Sequence, residues 1–412
     1  MTDIHPFTLS IPDARLQHLQ EKLALATFPD ELEDAGWEHG APLADIKRLV
    51  HHWRTTYDWR RHEASINALP NYETPIDVDG FGHIDIHFVH QVSPNANAIP
   101  VLFVHGWPGH FLEVAKLLPL FRDSEKNGGP AFHVVAPSLP NFGFSGVVKK
   151  KGFGMKQYAE TCHKLMIKLG YEQYVSQGGD WGTFITRTMA MLYPEALKAT
   201  HINMVACPPP YKNPLALLTL GFKYLTGTFS ADEKAGFERT QWFQDHGFGY
   251  FKIQSTKPQT VGYALNDSPV ALLAWIYEKL HDWTDSYPWT DDEILDWISV
   301  YWWSRAGPAA SVRIYYEALK GEYTTERTYK TWIPNVKLTD DLPQGLGYFP
   351  KELALLPKSW AQSLGPIAFA SEHKSGGHFA AFENPEGIVG DMRLMFGKGG
   401  GASGVVENKH GY

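Results

Sequence analysis

Cysteine is nearly missing from this chain: Cys162 and Cys207 are the only two among 412 residues. Two thiols exclude a disulfide framework and a cysteine-rich metal site. No run of 18 apolar residues occurs, so nothing reads as a transmembrane helix. The opening MTDIHPFTLSIPDARLQHLQ lacks the basic-then-apolar order of a secretion signal. A formal net charge of -8 argues against a nucleic-acid footprint, and no basic stretch contradicts that reading. Repeats and low-complexity segments are absent as well. The expectation is a soluble, cytoplasmic protein with no nucleic-acid partner and no integral membrane segment.

Aromatic residues, by contrast, are plentiful, with 14 Trp, 19 Tyr and 23 Phe. They suit a deep apolar site but serve equally as core filler. At 43% hydrophobic, the chain can bury one large core or two modest ones.

Periodicity divides the chain into three parts. Residues 1–95 form an N-terminal region with helical patterns over roughly 13–27 and 42–67, broken at Pro70 and NYETP. A half-buried strand, HIDIHFVHQ, follows at 83–91. From 96 to 207 short apolar strands alternate with helices: VLFVHG, then 131–136, a helix ending on Gly170, YVSQGGDWG, a helix over 182–193, and a strand at 199–205. That rhythm predicts an α/β fold, a mostly parallel sheet with helices on both faces. It lapses from 208 to 319, an aromatic-rich helical stretch that reads as a cap over the carboxyl edge of the sheet. GLGYF at 345–349, LGPIAFAS at 364–371 and a C-terminal helix restore it within 320–412.

The stretch SQGGDWGT at 176–183 lies at a strand-to-helix turn. A side chain at such a turn projects above the sheet only where its neighbours are small. Gly178 and Gly182 meet that demand around Asp180, and a helix N-terminus favours an anion there. Asp180 is thus a candidate nucleophile, or else merely the cap of the helix. FVHGWPG at 103–109 is a second glycine-rich turn after an apolar strand. Backbone N–H groups of Trp107 and Trp181 can converge on one anionic oxygen.

A nucleophile needs a base and an orienting acid, which follow it in chain order in this architecture. His378 in SGGHFAAFE lies just beyond the last strand, and Glu352 just beyond the strand before it. His373 competes as base and Asp341 as acid. An aspartate nucleophile suits displacement at an sp³ carbon, giving an alkyl-enzyme ester that water then opens. The leaving atom sets the requirement above it. A halide wants weak donors, whereas an epoxide oxygen wants a proton or strong hydrogen bonds, which Tyr250 and Tyr315 can give. Tyr224, Tyr263, Tyr277, Tyr287, Tyr301 and Tyr316 share the same region.

These motifs together resemble the epoxide hydrolases of the microsomal type, including soluble fungal and bacterial members. The likeness covers nearly the whole chain, through GWEHGAPLADIKRLVHHWR, HGWPG, GGDWG, IQSTKPQTVGYALNDSPVALLAWI, YFPKE and GGHFAAFE. HGWPG and GDWG alone resemble haloalkane dehalogenases too. The resemblance implies an α/β-hydrolase core, a helical cap, and an N-terminal extension that wraps the core and can support a homodimer. It implies Asp180 as nucleophile, His378 as general base, Glu352 as its acid partner, and Tyr250 and Tyr315 as cap tyrosines. A cis Trp107-Pro108 bond within the His105-Gly106-Trp107-Pro108 turn is implied as well. Membrane-bound relatives carry an N-terminal anchor; this chain starts at the soluble extension, which favours cytoplasm. The expected activity is hydrolysis of a small lipophilic epoxide by water to a vicinal diol, with no cofactor and no metal. A haloalkane dehalogenase and a non-enzymatic binding protein are the alternatives.

Overall fold

The computed structural model describes residues 3–207, 209, 214–320 and 342–412. Its described residues form one nine-stranded sheet. The strands are β1 His5–Pro6, β2 Asn71–Val78, β3 Gly82–Gln91, β4 Ile99–Val104, β5 Phe132–Pro137, β6 Tyr174–Gly178, β7 Leu197–Ile202, β8 Gln344–Tyr348 and β9 Ile367–Glu372. Their order across the sheet is β1-β2-β3-β5-β4-β6-β7-β8-β9. β1, β2, β3 and β5 pair antiparallel, and every pairing from β5 to β9 is parallel. β4, β5 and β6 are buried along their full length, as strands covered on both faces must be. β4 lies between β5 and β6, so the chain leaves it to one side and returns on the other. The crevice at such a switch point opens beyond the strand carboxyl ends.

Two readings of the N-terminal region change. The pattern over 42–67 is two helices, Leu43–Thr55 and Trp59–Asn67. Asp58 breaks it, because its side chain accepts the Arg60 and Arg61 N–H groups and caps the second helix. NYETP opens strand β2, which pairs along β3 from Asn71↔Val89 to Val78↔Gly82. Pro75 disguises this strand, since proline argues against strand interiors. In the C-terminal part, Leu364 ends a 3-10 turn, and the last helical stretch divides into Ala380–Glu383 and Pro385–Phe396.

Helices at Pro214–Thr226, Ala231–Trp242, Gly249–Thr256, Pro258–Asp267, Pro269–Asp282, Asp291–Trp302 and Arg313–Ala318 occupy the segment between β7 and β8. Pro208 lies outside the described residues. The N-terminal helices grip this layer through polar contacts. The Tyr57 hydroxyl donates to Asp296 Oδ1 (2.9 Å), His52 Nε2 meets Asp292 (2.7 Å), and Arg48 pairs with Asp291. The layer is fixed from below by Trp297 Nε1–H to the Pro108 carbonyl (2.6 Å) and the Tyr301 hydroxyl to the Gly109 carbonyl (2.5 Å).

His87, on β3, ties the extension to the core. Its Nδ1 lies 2.9 Å from Ser138 Oγ and its Nε2 3.1 Å from Asn71 Oδ1, among the rings of Phe7, Phe111 and Phe144. Burial lowers its pKa from 6.5 to about 3 and that of buried His105 to about 4. The unfolded chain therefore binds more protons than the folded chain between those values and 6.5. Stability is full above about 6.5 and drains as pH falls toward the folded pKa values. Urea unfolding at stepped pH should show a loss of about 1.4 kcal/mol per pH unit for each such histidine below 6.5. His87→Gln should flatten that slope by about one proton, and an unchanged slope would refute the assignment.

Candidate active site

β4 and β6 are neighbours, with Val104 opposite Gly178, so the turns leaving them meet. Asp180 stands at the start of helix Trp181–Leu192 with φ 48° and ψ -126°. Such a backbone costs a non-glycine residue about 1–3 kcal/mol and turns its side chain out of the chain's path. The approach of the turns is close enough to require glycine. A Cβ on Gly182 would overlap the Val104 carbonyl, and one on Gly106 would overlap the Asp180 carboxyl itself. Asp180 makes no capping hydrogen bond to its own helix. Its Oδ1 instead accepts the Trp107 N–H at 2.7 Å.

His105 sets the direction of that N–H. Its Nε2 accepts the Leu139 N–H (3.1 Å), which leaves Nδ1–H to donate to the Gly106 carbonyl (2.9 Å). The Gly106 carbonyl and the Trp107 N–H belong to one peptide unit and point in opposite directions. Holding the first therefore aims the second at Asp180. Burial lowers the His105 pKa to about 4, which keeps it neutral for this task. The Trp107-Pro108 bond is cis.

The other Asp180 oxygen faces a histidine. His378 Nε2 lies 3.3 Å from Oδ2, and His378 Nδ1 lies 2.6 Å from Glu352 Oε1. Glu352 Oε1 also accepts the Leu353 N–H at 2.7 Å. Both His378 and Glu352 are buried. Burial opposes charge on the imidazole, but the Glu352 charge and the hydrogen bonds to Asp180 and Glu352 outweigh it and raise the pKa to about 10. The loop is held on both sides. The His378 N–H donates to the Trp283 carbonyl (2.8 Å), and Glu383 Oε1 accepts the N–H groups of Gly377 (3.1 Å) and Phe379 (3.2 Å).

Above Asp180 the aromatic rings interlock. Tyr250 stacks on Trp107 with centroids 5.2 Å apart, and Tyr315 stands edge-on to Trp107 (5.6 Å), Trp181 (4.9 Å) and Tyr250 (5.6 Å). Burial and then the Asp180 charge push the Tyr250 pKa well above its ordinary value. Burial, then Tyr250 and Asp180, do the same for Tyr315. Both phenols therefore keep their protons at neutral pH. The Tyr315 hydroxyl and the Trp181 indole N–H are both buried, and each hydroxyl of the tyrosine pair acts on the other. The neighbouring Tyr316 is half-buried and turns instead toward Lys320.

The competing candidates lie elsewhere. Partly buried His373 stacks on Phe349 and shares buried Asp391 with buried His201, a cluster apart from Asp180. Tyr224 and Tyr263 are exposed, while Tyr277, Tyr287 and Tyr301 bond to Asp45, Glu293 and the Gly109 carbonyl. Asp341 lies outside the described residues. Several polar groups at the site escape the sequence reading: Glu113, Gln177, Asn203 and Glu383. Gln177 and Glu383 lie within the motifs SQGGDWGT and GGHFAAFE, while Glu113 and Asn203 lie in none. The His110-x-x-Glu113 spacing is a capping box, a signal that marks a helix start and nothing more.

Residues 4–114 match the family described as "Epoxide hydrolase N terminus", and 99–270 the "alpha/beta hydrolase fold" family. A Stigmatella aurantiaca protein provisionally named an epoxide hydrolase is 40% identical over 403 residues, covering 95% of this chain and 84% of its own. Epoxide hydrolase 1 of Sus scrofa is 33% identical over 414 residues, covering 96% of this chain and 88% of its own. The solved Aspergillus niger epoxide hydrolase superposes with a TM-score of 0.79 at 33% identity, over 94% of each chain. Identity at this level, sustained along nearly the whole chain, establishes the family: the chain belongs to the epoxide hydrolases of the α/β-hydrolase fold.

Proposed function

We propose that this protein hydrolyses a small lipophilic epoxide to a vicinal diol through an ester on Asp180. The observation that carries the reading is the environment of one carboxylate. Asp180 has a backbone donor on Oδ1, a triad-like histidine at Oδ2, and two protonated phenols in the aromatic cluster above it. One carboxylate oxygen attacks a ring carbon, and the epoxide C–O bond breaks. Tyr250 and Tyr315 stabilise or protonate the departing oxygen. Water, losing a proton to His378, then adds to the ester carbonyl. The resulting oxyanion is stabilised by the Trp107 N–H, with the Trp181 N–H as second donor. Glu352 orients His378 and balances its charge.

The same reading divides the chain into an extension (1–95), a hydrolase core (96–207 and 320–412) and a cap (208–319). A cytoplasmic location and a homodimer complete it. Among the described residues, no helix is long and apolar enough to cross a membrane.

Enzyme in excess over an aryl epoxide in ¹⁸O-water should yield first-turnover diol whose new oxygen comes from the protein. Label in that first diol would rule out the ester route. His378→Gln should slow ester hydrolysis by about 10²–10⁴-fold, so that intact-mass spectrometry finds alkylated Asp180. A folded variant that turns over epoxide without accumulating adduct would remove His378 from the base role. Tyr250→Phe and Tyr315→Phe should each slow alkylation by roughly tenfold or more, read from single-turnover adduct formation. Unchanged alkylation in both would deny the phenols their part.

A further inference from the structure

Beside Asp180, on the side of the β4 and β6 strand ends, is a small cavity of about 20 Å³. That is room for a single water molecule, which also needs two to four polar partners. The walls supply them: Asp180, His378, Glu113, Gln177 and Asn203 line the cavity with the Gly106–Trp107 backbone. Gln177 donates from Nε2 to Asn203 Oδ1 at 2.8 Å, while its Oε1, fully buried, has no hydrogen-bond partner among the described residues. Glu113 reaches the cavity from the short helix after the HGWPG turn. Its Oε1 accepts the His110 N–H at 3.1 Å, and a Cβ on Gly109 would overlap that oxygen. The carboxyl is thus pinned by one oxygen against the turn that carries the oxyanion donor.

We propose that this cavity is the seat of the hydrolytic water and that Glu113 is its second catalytic partner. The inference rests on the Asp180 ester reading. The water oxygen bonds to Asp180 Cγ while the carbonyl electron pair moves onto the oxygen beside the Trp107 N–H. One water proton goes to His378 Nε2; the other stays on the new hydroxyl and is held by Glu113. Collapse breaks the ester Cγ–O bond, and the diol oxygen takes the proton back from His378. The regenerated Asp180 carboxyl then passes its remaining proton to His378, restoring the resting pair.

Burial raises the Glu113 pKa to about 8, with the His378 charge and the His110 N–H pulling it down and the Asp180 charge adding to the rise. The geometry, and not a change of charge, fixes its part: with Oε1 held by the His110 N–H, the other carboxyl oxygen is left to hold the water through a lone pair.

Glu113→Gln tests this directly. The amide oxygen keeps the His110 N–H and the amide NH₂ replaces the acceptor facing the water. With an aryl epoxide under single-turnover conditions, quenched samples read alkylation and ester hydrolysis separately by intact mass. Hydrolysis should slow at least about tenfold with alkylation within about twofold of the parent. Equal losses in both steps, or unchanged hydrolysis, would overturn the proposal. Glu113→Ala provides a second measurement: formate should restore its hydrolysis rate, and no rescue in the folded variant would count against the role. Absence of any adduct, even in His378→Gln, would instead bring down the ester reading beneath it.

Discussion

The site depends on one close approach, that of the Gly106–Trp107 peptide to the Asp180 carboxyl. Two neighbouring strand ends bring the turns together, and absent side chains let them touch. Any Cβ on Gly106 would occupy the position of the carboxyl, and any Cβ on Gly182 would drive the Asp180 helix away from β4. Given that contact, the positive φ of Asp180 acquires a physical purpose. A carboxylate in ordinary helix-cap geometry would spend its oxygens on its own helix. Here the strained backbone turns it away, and the sheet and helix that flank it offset the strain. One oxygen then meets a fixed N–H and the other a histidine, so the carboxylate is oriented before any substrate arrives.

Fixing that peptide takes a chain of smaller constraints. Leu139 sets the His105 tautomer, His105 holds the Gly106 carbonyl, and the Trp107 N–H points the opposite way. On the far side, Trp297 and Tyr301 bind the Pro108 and Gly109 carbonyls, so the turn also anchors the helical layer. The extension in turn grips that layer at Asp291, Asp292 and Asp296. An N-terminal region remote from Asp180 thereby helps to hold the helix Asp291–Trp302 over the turn. Removing one of its surface ion pairs costs little, because such pairs are weak singly; their value lies in acting together on one helix.

How much of this was legible in the sequence varies with the physics behind each signal. The alternation of apolar strands with helices gave the sheet, because full burial of β4, β5 and β6 leaves few polar residues in them. Strand β2 is hidden in the sequence because Pro75 and its polar neighbours imitate a break. Asp58 does not show in the sequence pattern because a cap is a local hydrogen bond, invisible to hydrophobic periodicity. Among candidate site residues, Asp180, Glu352 and His378 stood out through chain order at strand ends. Glu113 did not, since a carboxylate one turn into a helix reads as a capping box unless its burial is known. The tyrosines fell between these cases. The resemblance singled out Tyr250 and Tyr315, but only packing separates Tyr315, inside the aromatic cluster, from Tyr316, turned toward Lys320.

On the ester reading, one histidine has opposite duties in the two halves of the cycle. In the free enzyme, the Glu352 charge and the Asp180 and Glu352 hydrogen bonds hold its pKa near 10 despite burial. A protonated imidazole is no base, but none is wanted during ring opening. A cation beside the attacking carboxylate also keeps that carboxylate anionic. Alkylation changes the balance without moving an atom of His378. The ester has no charge and no strong acceptor toward Nε2, so the Asp180 contributions vanish. Burial, the largest single influence and the one that lowers the pKa, is left against Glu352 alone. The imidazole pKa therefore falls from its resting value when water must be activated, and the proton it releases can restore the phenol that gave one up at ring opening. Glu352 can serve both halves because it stays fixed, whereas Asp180 changes the base by being consumed. On this reading the nucleophile acts as the switch for its own regeneration.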